Sequence, residues 1–271
     1  MVGVSAPRLA VIAGQGDLPL RLARTIRSQG REVTIFTIAG QADADFSEFN
    51  VIDIVLGTIG ETREQIKAAA CAEVVMVGKV RRPSLAQLRP DAHAVKLLAR
   101  SVGKGDDALL RVIASFFEED GISIVPVDRL MPEHVMPEGI FAGKIDETAK
   151  ADIDCGQAVL DRLGDSDIGQ AIVVQNQRIL AIEAAEGTDE MLTRCRELID
   201  MTAPPAILLK CAKLAQDRRL DLPVIGADTL QRAAAAGVRV IACEAGGVLL
   251  SESSDILWQE ADRLGLSVIG V

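Results

Sequence analysis

Tyrosine is absent from this 271-residue chain, and histidine occurs only twice, at His93 and His134. A Ser-His-Asp triad or a histidine-rich transition-metal site would have to use one of those two. Carboxylates, lysines and arginines are left to carry any chemistry. His134 sits in a stretch broken by prolines and glycines and reads as an exposed loop residue. The five cysteines (Cys71, Cys155, Cys195, Cys211 and Cys243) are odd in number, widely spaced and form no CxxC pair. That spacing argues against a disulfide framework or a thiolate zinc site and fits a reducing compartment. No apolar run approaches the roughly 18 residues of a membrane-spanning helix. The apolar run at 9–13 is too short and wrongly flanked for a signal peptide, so a cytoplasmic protein is expected. A global positive field is missing as well, with 29 Lys and Arg against 39 Asp and Glu, a net charge of −10. Without that field to release counterions a general nucleic-acid binder is disfavoured, and no nucleic-acid partner is expected.

What the chain has is apolar patterning in an α/β alternation. Residues 9–13 form a strand-like run that breaks into Gly14-Gln15-Gly16-Asp17-Leu18-Pro19, followed by a helical pattern of Leu18, Leu22 and Ile26. Strand, glycine turn and helix open a βαβ unit. Asp17 is placed to cap that helix, and Pro19 is tolerated in its first turn. Glycines at such a turn let backbone amides approach a phosphate, so Gly14, Gln15, Gly16 and Asp17 are candidate ligand contacts. The turn departs from the dinucleotide fingerprint, because Pro19 stands at the third glycine position and the strand at 33–38 ends in Ala39-Gly40 with no acidic residue. It reads first as a plain turn and cap, and alone it is weak evidence for NAD. Further strands are predicted at 51–56, 74–77 and 122–125, with helices at 61–72 and after Gly105-Asp106-Asp107. Asp106 reads as a cap, with a lesser ligand reading for Asp107. The cluster Lys79, Arg81, Arg82, Pro83 follows the end of the strand at 74–77, where open α/β sheets bind ligands, though a solvated loop would look the same.

The predicted fold class is therefore α/β: a Rossmann-like N-terminal domain with a parallel sheet over 1–130, a linker at 131–145, and a second mixed α/β domain over 146–271. In the second domain a helix is predicted at 147–163, a β-hairpin from 171–174 and 179–182, and a helix at 191–199. Helices at 227–236 and 252–264 and strands at 206–209, 238–243 and 267–271 complete it. The turn before 191–199 carries Glu186, Gly187, Thr188 and Asp189. Thr188 or Asp189 would cap the helix, and the same turn suits a phosphate oxygen or a hydrated divalent cation. After the strand at 206–209 comes a reversal of sign: Lys210, Lys213, Arg218 and Arg219 stand against the single carboxylate Asp217 within ten residues. Gln216 and Asp221 belong to the same stretch. A local cationic field at strand ends suits an anionic ligand, and the carboxylates could hold a bridging metal; a solvated loop of ion pairs is the competing reading.

Six segments taken together resemble a known family. They are VIAGQGDLP at 11–19, VGKVRRPSL at 77–85, GDDALLR at 105–111, MPEG at 136–139, AIEAAEGTDEMLTR at 181–194 and KCAKLAQDRRLDLPVIGADT at 210–229. Collinear across nearly the whole chain, they are similar to the UDP-2,3-diacylglucosamine pyrophosphatases of the LpxI type, enzymes of lipid A biosynthesis in Gram-negative bacteria. One departure is Leu214-Ala215, where that family often has Pro-Gly. The resemblance implies hydrolysis, dependent on magnesium (or manganese), of UDP-2,3-diacylglucosamine to UMP and 2,3-diacylglucosamine 1-phosphate (lipid X), with substrate held between two domains. Pyrophosphate hydrolysis needs charge neutralisation on phosphate oxygens and an aimed water, and magnesium manages with one or two carboxylates. On that basis Asp217 is expected as metal ligand or water-orienting carboxylate, with Asp189 and Glu186 as further metal candidates. Lys210, Lys213 and Arg218 are assigned to phosphates and Gln216 to a polar contact. Gly14, Gln15, Gly16, Asp17, Lys79, Gly187, Thr188 and Asp221 are placed around the substrate, Asp221 alternatively tying down an arginine. Peripheral contact with the cytoplasmic face of the inner membrane and a homodimer stay open. So do two rival classes, a nucleotide-binding oxidoreductase built on the GxG turn and a noncatalytic sugar-nucleotide-binding module.

Overall fold

The computed structural model describes residues 6–81, 90–101, 106–164, 168–214 and 216–271. Arg82, Pro83 and Ala215, together with Gly105 before the predicted cap, lie outside the described residues. The chain divides into two compact units: Met1–Pro132 with Arg219–Asp221, and Glu133–Arg218 with Leu222–Val271.

The first unit is built on β1 (Arg8–Ala13), β2 (Val33–Ile38), β3 (Asn50–Ile54), β4 (Cys71–Val77) and β5 (Ser123–Ile124). These pair in the order β3-β2-β1-β4-β5, all parallel. That is the order of a doubly wound sheet, in which the chain leaves β1 for one side and later returns to the other. β1 is central and, from Leu9 on, buried throughout, which is why it reads as a continuous apolar run with no alternation. Helices α1 (Leu18–Ser28), α2 (Ile59–Ala68), α3 (Ala92–Ser101) and α4 (Asp106–Glu118) connect the strands. α1 turns Leu18, Leu22 and Ile26 inward, the face expected from their spacing. Ala10, Ile12, Phe36, Ile66 and Phe117 form one core of the unit. The helix predicted at 61–72 stops earlier than expected: α2 ends at Ala68, Ala70 takes φ +55°, and β4 already begins at Cys71. The buried Cys71 pairs with Arg8 of β1, so strand pairing overrides the helix propensity of the alanines before it. α4 starts at Asp106 itself, and Asp107 pairs with Arg111 one helical turn on. The unit continues into the short α5 (Val127–Leu130).

The second unit holds a six-stranded sheet in the order β6-β13-β11-β9-β7-β8. Its strands are β6 (Gly139–Ala142), β7 (Ala171–Gln175), β8 (Arg178–Ile182), β9 (Ala206–Lys210), β11 (Val238–Cys243) and β13 (Ser267–Gly270). β9, β11 and β13 are parallel, while β7 runs antiparallel to β9 and β6 antiparallel to β13. Alternate residues of β9 serve opposite faces. Leu208 joins Val173, Ile241 and Val268 beneath α7 (Thr188–Cys195), α8 (Ala227–Ala236) and α9 (Ser254–Leu264). Ile207 and Leu209 face the other way, toward Ala149, Ile153 and Leu160 of α6 (Glu147–Gly164). The result is a helix-sheet-helix sandwich, with a small parallel pair β10 (Val224–Ile225) and β12 (Leu249–Leu250) beside it. The predicted hairpin forms as β7–β8, closed by Asn176 and Gln177 at φ +53° and +57°. The segment read as a connection at 131–145 holds a 3-10 turn, Pro132–His134, and the edge strand β6. His134 is not an exposed loop residue: it is 8% exposed, and its Nδ1 lies 2.8 Å from the carbonyl oxygen of Leu250. Packing against β12 provides the partner that lets a polar ring be buried. Among the described residues no helix is long and apolar enough to cross a membrane.

Candidate active site at the strand ends of the second unit

Parallel strands in an α/β sheet present their carboxyl ends along one edge, where ligands bind. In the second unit that edge is fixed by register. Lys210 of β9 stands opposite Cys243 of β11 and opposite Ala171 of β7. Backbone hydrogen bonds extend the alignment past the strands, from Cys211 N–H to Gln170 O, Glu183 N–H to Ala171 O and Glu244 N–H to Lys210 O. Gln170, Glu183, Lys210 and Glu244 are thus brought to one edge from positions up to 74 residues apart in the chain.

Lys210 shares the face of Leu208 and points toward α7. It is 7% exposed, and its ammonium donates to Thr188 Oγ1 at 3.0 Å and to the Val224 carbonyl at 2.9 Å. A lysine this buried is uncommon unless its charge is satisfied by a partner or used. Thr188 in turn donates to Glu183 Oε1 at 2.7 Å. The expected cap is therefore corrected. Gly187, at φ +83°, occupies the cap position of α7 and no side chain caps the helix; Thr188 is the first helical residue, its hydroxyl used by Glu183 and Lys210. The helix starts at Thr188, three residues before the predicted 191, and ends at Cys195 with a 3-10 turn, Arg196–Leu198.

The loop after β9 is held at several points. Gln216 Oε1 accepts from the Lys213 N–H at 3.1 Å and from Gln170 Nε2 at 2.8 Å. Glu244 accepts the Ala212 N–H at 2.8 Å through one oxygen and the Arg218 guanidinium through the other. A Cβ on Gly247 would come within 2.4 Å of the Glu244 carboxyl carbon, so the small residue there makes room for this clamp. Asp217 is half-buried in the same loop. Cys211 faces the opposite side, its Sγ 3.0 Å from Gln157 Oε1. Burial pushes its thiol, and that of Cys243, well above the ordinary value, which makes both poor nucleophiles.

The structure joins Lys210 to Thr188 by a hydrogen bond and carries Lys213, Gln216, Asp217 and Arg218 on the loop that follows β9. Glu183, Gln170 and Glu244 were missed by sequence reasoning because acidic and amide residues in turns look like solvated loop. Their only signal was position immediately beyond a strand end. Two expected metal candidates are paired with arginines. Glu186 receives the Arg194 guanidinium at 3.0 and 2.8 Å, and its own backbone amide and that arginine hold its carboxyl below the usual range. Asp189 pairs with Arg232 at 3.6 Å. Among the described residues no three His, Cys, Asp or Glu form a group able to hold a metal. Asp217 is a hard oxygen donor in a cationic loop, and a single carboxylate of that kind suits magnesium, which keeps waters and substrate oxygens for its remaining positions.

The N-terminal candidates lie in the first unit, at the ends of β1 and β4. There the two loops use each other's backbone. Gly14 N–H donates to Val77 O at 2.9 Å, Gln15 N–H to Lys79 O at 2.8 Å and Lys79 N–H to Gln15 O at 3.1 Å. A Cβ on Gly14 would lie 2.7 Å from two carbonyl oxygens, so close approach of these loops explains the glycine. Gly16 N–H donates to Asp43 Oδ1 at 2.7 Å. These three amides thus have acceptors within the unit, the Gly16–Asp43 pair at its exposed surface. Asp17 holds the cap position of α1 without a side-chain cap bond, in contrast to expectation, because its backbone is already near-helical. Lys79 is exposed. Asp221 falls within the first unit together with Arg219, which pairs with Glu118 at 2.7 Å.

Comparison with known proteins agrees with this division. The family models described as LpxI N-terminal domain and LpxI C-terminal domain match residues 8–134 and 137–269. A protein of Caulobacter vibrioides named UDP-2,3-diacylglucosamine pyrophosphatase LpxI is 37% identical over 274 residues, covering 97% of each chain. Solved structures include a UDP-N-acetylglucosamine 4-epimerase from Bacillus cereus at 10% identity and TM-score 0.33, covering 98% of this chain and 75% of that one. An NAD-dependent epimerase/dehydratase from Methylobacillus flagellatus matches at 16% identity and TM-score 0.27, covering 54% of this chain and 47% of that one. Superpositions at this level carry no argument, and the fold rests on the strand order itself. With both halves matched in order and more than a third of positions identical over nearly the full length, the chain belongs to the LpxI family.

Proposed function

We propose that this chain hydrolyses the pyrophosphate bond of UDP-2,3-diacylglucosamine, releasing UMP and 2,3-diacylglucosamine 1-phosphate in lipid A biosynthesis. The observation that carries the reading is the full-length match to a relative named for that activity. It is joined by a cationic loop and a buried lysine at the carboxyl ends of the parallel strands. In such a reaction water attacks one phosphorus, the bridging P–O bond breaks, and negative charge grows on the departing phosphate. Lys210, Lys213 and Arg218 are the groups that bind and neutralise those oxygens. Glu244 restrains Arg218, and Gln216 ties the loop back to Gln170. Asp217 is assigned to orient the water or to hold magnesium or manganese, which when bound would neutralise phosphate charge. Glu186 and Asp189, each paired with an arginine, are the further carboxylates proposed for that role.

The oxidoreductase reading is less favoured, because Gly14 and Gln15 donate their amides to Val77 and Lys79 and Gly16 donates to Asp43. The assay is UMP release from UDP-2,3-diacylglucosamine with magnesium or manganese, with and without chelator, in the parent and in Asp217→Ala. Metal-dependent UMP release abolished by the substitution is expected. Tight binding without UMP release would instead identify a binding module, and chelator-insensitive release would remove the metal from the reading.

A further inference from the structure

We infer that Glu183 is a positioning residue that sets the direction of the Lys210 ammonium through the hydroxyl of Thr188; the inference rests on the hydrolase reading given above. A carboxylate only accepts hydrogen bonds, and an ammonium only donates them. Between the two, the Thr188 hydroxyl has one hydrogen to give. With Glu183 Oε1 at 2.7 Å on one side and Lys210 Nζ at 3.0 Å on the other, it donates to Glu183 and accepts from Lys210. The chain of bonds has a single polarity, and the acid at its end imposes it.

The same carboxylate is anchored at its other oxygen, Oε2, which accepts the Gln170 N–H at 2.8 Å. The Gln170 side chain then reaches Gln216 Oε1 at 2.8 Å. One support therefore stands under Lys210 on one side and under the loop after β9 on the other. A Cβ on Gly169, which takes φ +55°, would lie 2.1 Å from the Glu183 carbonyl oxygen. That glycine lets the segment before β7 pass close enough for Gln170 to meet Glu183. Glu183 is half-buried, so water replaces its bonds incompletely.

Glutamine in place of Glu183 is nearly isosteric yet cannot reproduce this pattern. If its oxygen takes the Thr188 hydroxyl, its NH2 faces the Gln170 N–H. If it is flipped, its NH2 donates to Thr188, and the hydroxyl hydrogen is turned toward the ammonium. Misplacing a phosphate-binding group by about an ångström costs on the order of a hundredfold in turnover. Glu183→Gln should accordingly lower kcat by about tenfold or more, with a smaller change in KM. The test is a cycle of Glu183→Gln, Lys210→Met and the double variant, read by UMP release. Circular dichroism would confirm that each variant is folded.

Acting in part through Lys210, Glu183→Gln should cost less in the Lys210→Met background than in the parent. Multiplied losses in the double variant, or an unchanged kcat in the single one, would overturn the inference. Rate of amine labelling at Lys210, followed by peptide mass spectrometry, gives a second readout independent of turnover. Faster labelling of Lys210 in Glu183→Gln than in the parent supports the coupling, and equal labelling overturns it. A parent protein that releases no UMP would remove the hydrolase reading alone, with the labelling result still deciding whether Glu183 positions Lys210.

Discussion

Replacing Asp152 by alanine should loosen the second unit more than any substitution at its surface. Asp152 lies on α6, is fully buried, and accepts the backbone N–H groups of both hairpin-turn residues, Asn176 at 2.8 Å and Gln177. Hydrogen bonds to a charged acceptor are worth about 1.5–3 kcal/mol each, so two such bonds give about 3–6 kcal/mol before relaxation. Asn176 and Gln177 are themselves exposed, and water will reach the released amides. That discount leaves an expected loss of about 2–4 kcal/mol. For a protein of this size the loss is equivalent to a fall in Tm of about 5–15 °C. Asparagine keeps one acceptor oxygen but turns an NH2 toward the second amide, so Asp152→Asn should fall between parent and alanine. Urea and thermal unfolding followed by circular dichroism measure the difference, and hydrogen exchange at 176 and 177 localises it. A loss below about 0.5 kcal/mol in Asp152→Ala, within the range of ordinary surface substitutions, would refute the assignment of this buried carboxylate as the hairpin anchor.

The hairpin offers a change of opposite sign. Gln177 is exposed and sits at φ +57°, so Gln177→Gly should raise unit stability by about 0.5–1 kcal/mol in the same unfolding assay. Asp91 accepts the N–H groups of Gly60 and Ala94, each at 2.7 Å. Burial opposes its ionisation, yet these and neighbouring amides outweigh it and hold the carboxyl below its ordinary value. A depressed folded pKa means the stabilisation is complete above the unfolded value near about 4 and is lost as pH falls below it. The stability gap between parent and Asp91→Asn should therefore close in acid, and a gap independent of pH would contradict the assignment. Cys71, Cys195, Cys211 and Cys243 are buried with thiols pushed upward, Cys243 to about 12, whereas Cys155 is half-buried. Iodoacetamide at pH 8 should label Cys155 first, read by peptide mass spectrometry, with the other four protected until unfolding.

How much could be read in advance differs between elements for physical reasons. The strand at 206–209 was legible because a central strand covered on both faces is apolar throughout, and the hairpin because two short β-type runs flank a polar turn. The end of α2 was not, since alanines favour helix locally and only pairing of Cys71 with β1 stops them. The same contrast holds in the candidate site. Lys210, Lys213, Gln216, Asp217 and Arg218 stand close together in the chain, so their charge pattern was visible. Glu183 and Glu244 reach the same edge only through strand register, which no local pattern encodes.

By itself, the sequence determined the α/β class, the division of chemistry among lysines, arginines and carboxylates, and the family to which the chain belongs. All three follow from composition, periodicity and motif order, which are properties of the chain. Tertiary structure alone decided which polar groups are already spoken for. The glycine-turn amides meet acceptors at Val77, Lys79 and Asp43, Glu186 and Asp189 pair with arginines, and Lys210 is buried with its ammonium directed at Thr188. A hydrogen bond depends on direction and distance between groups far apart in sequence, and folding supplies both.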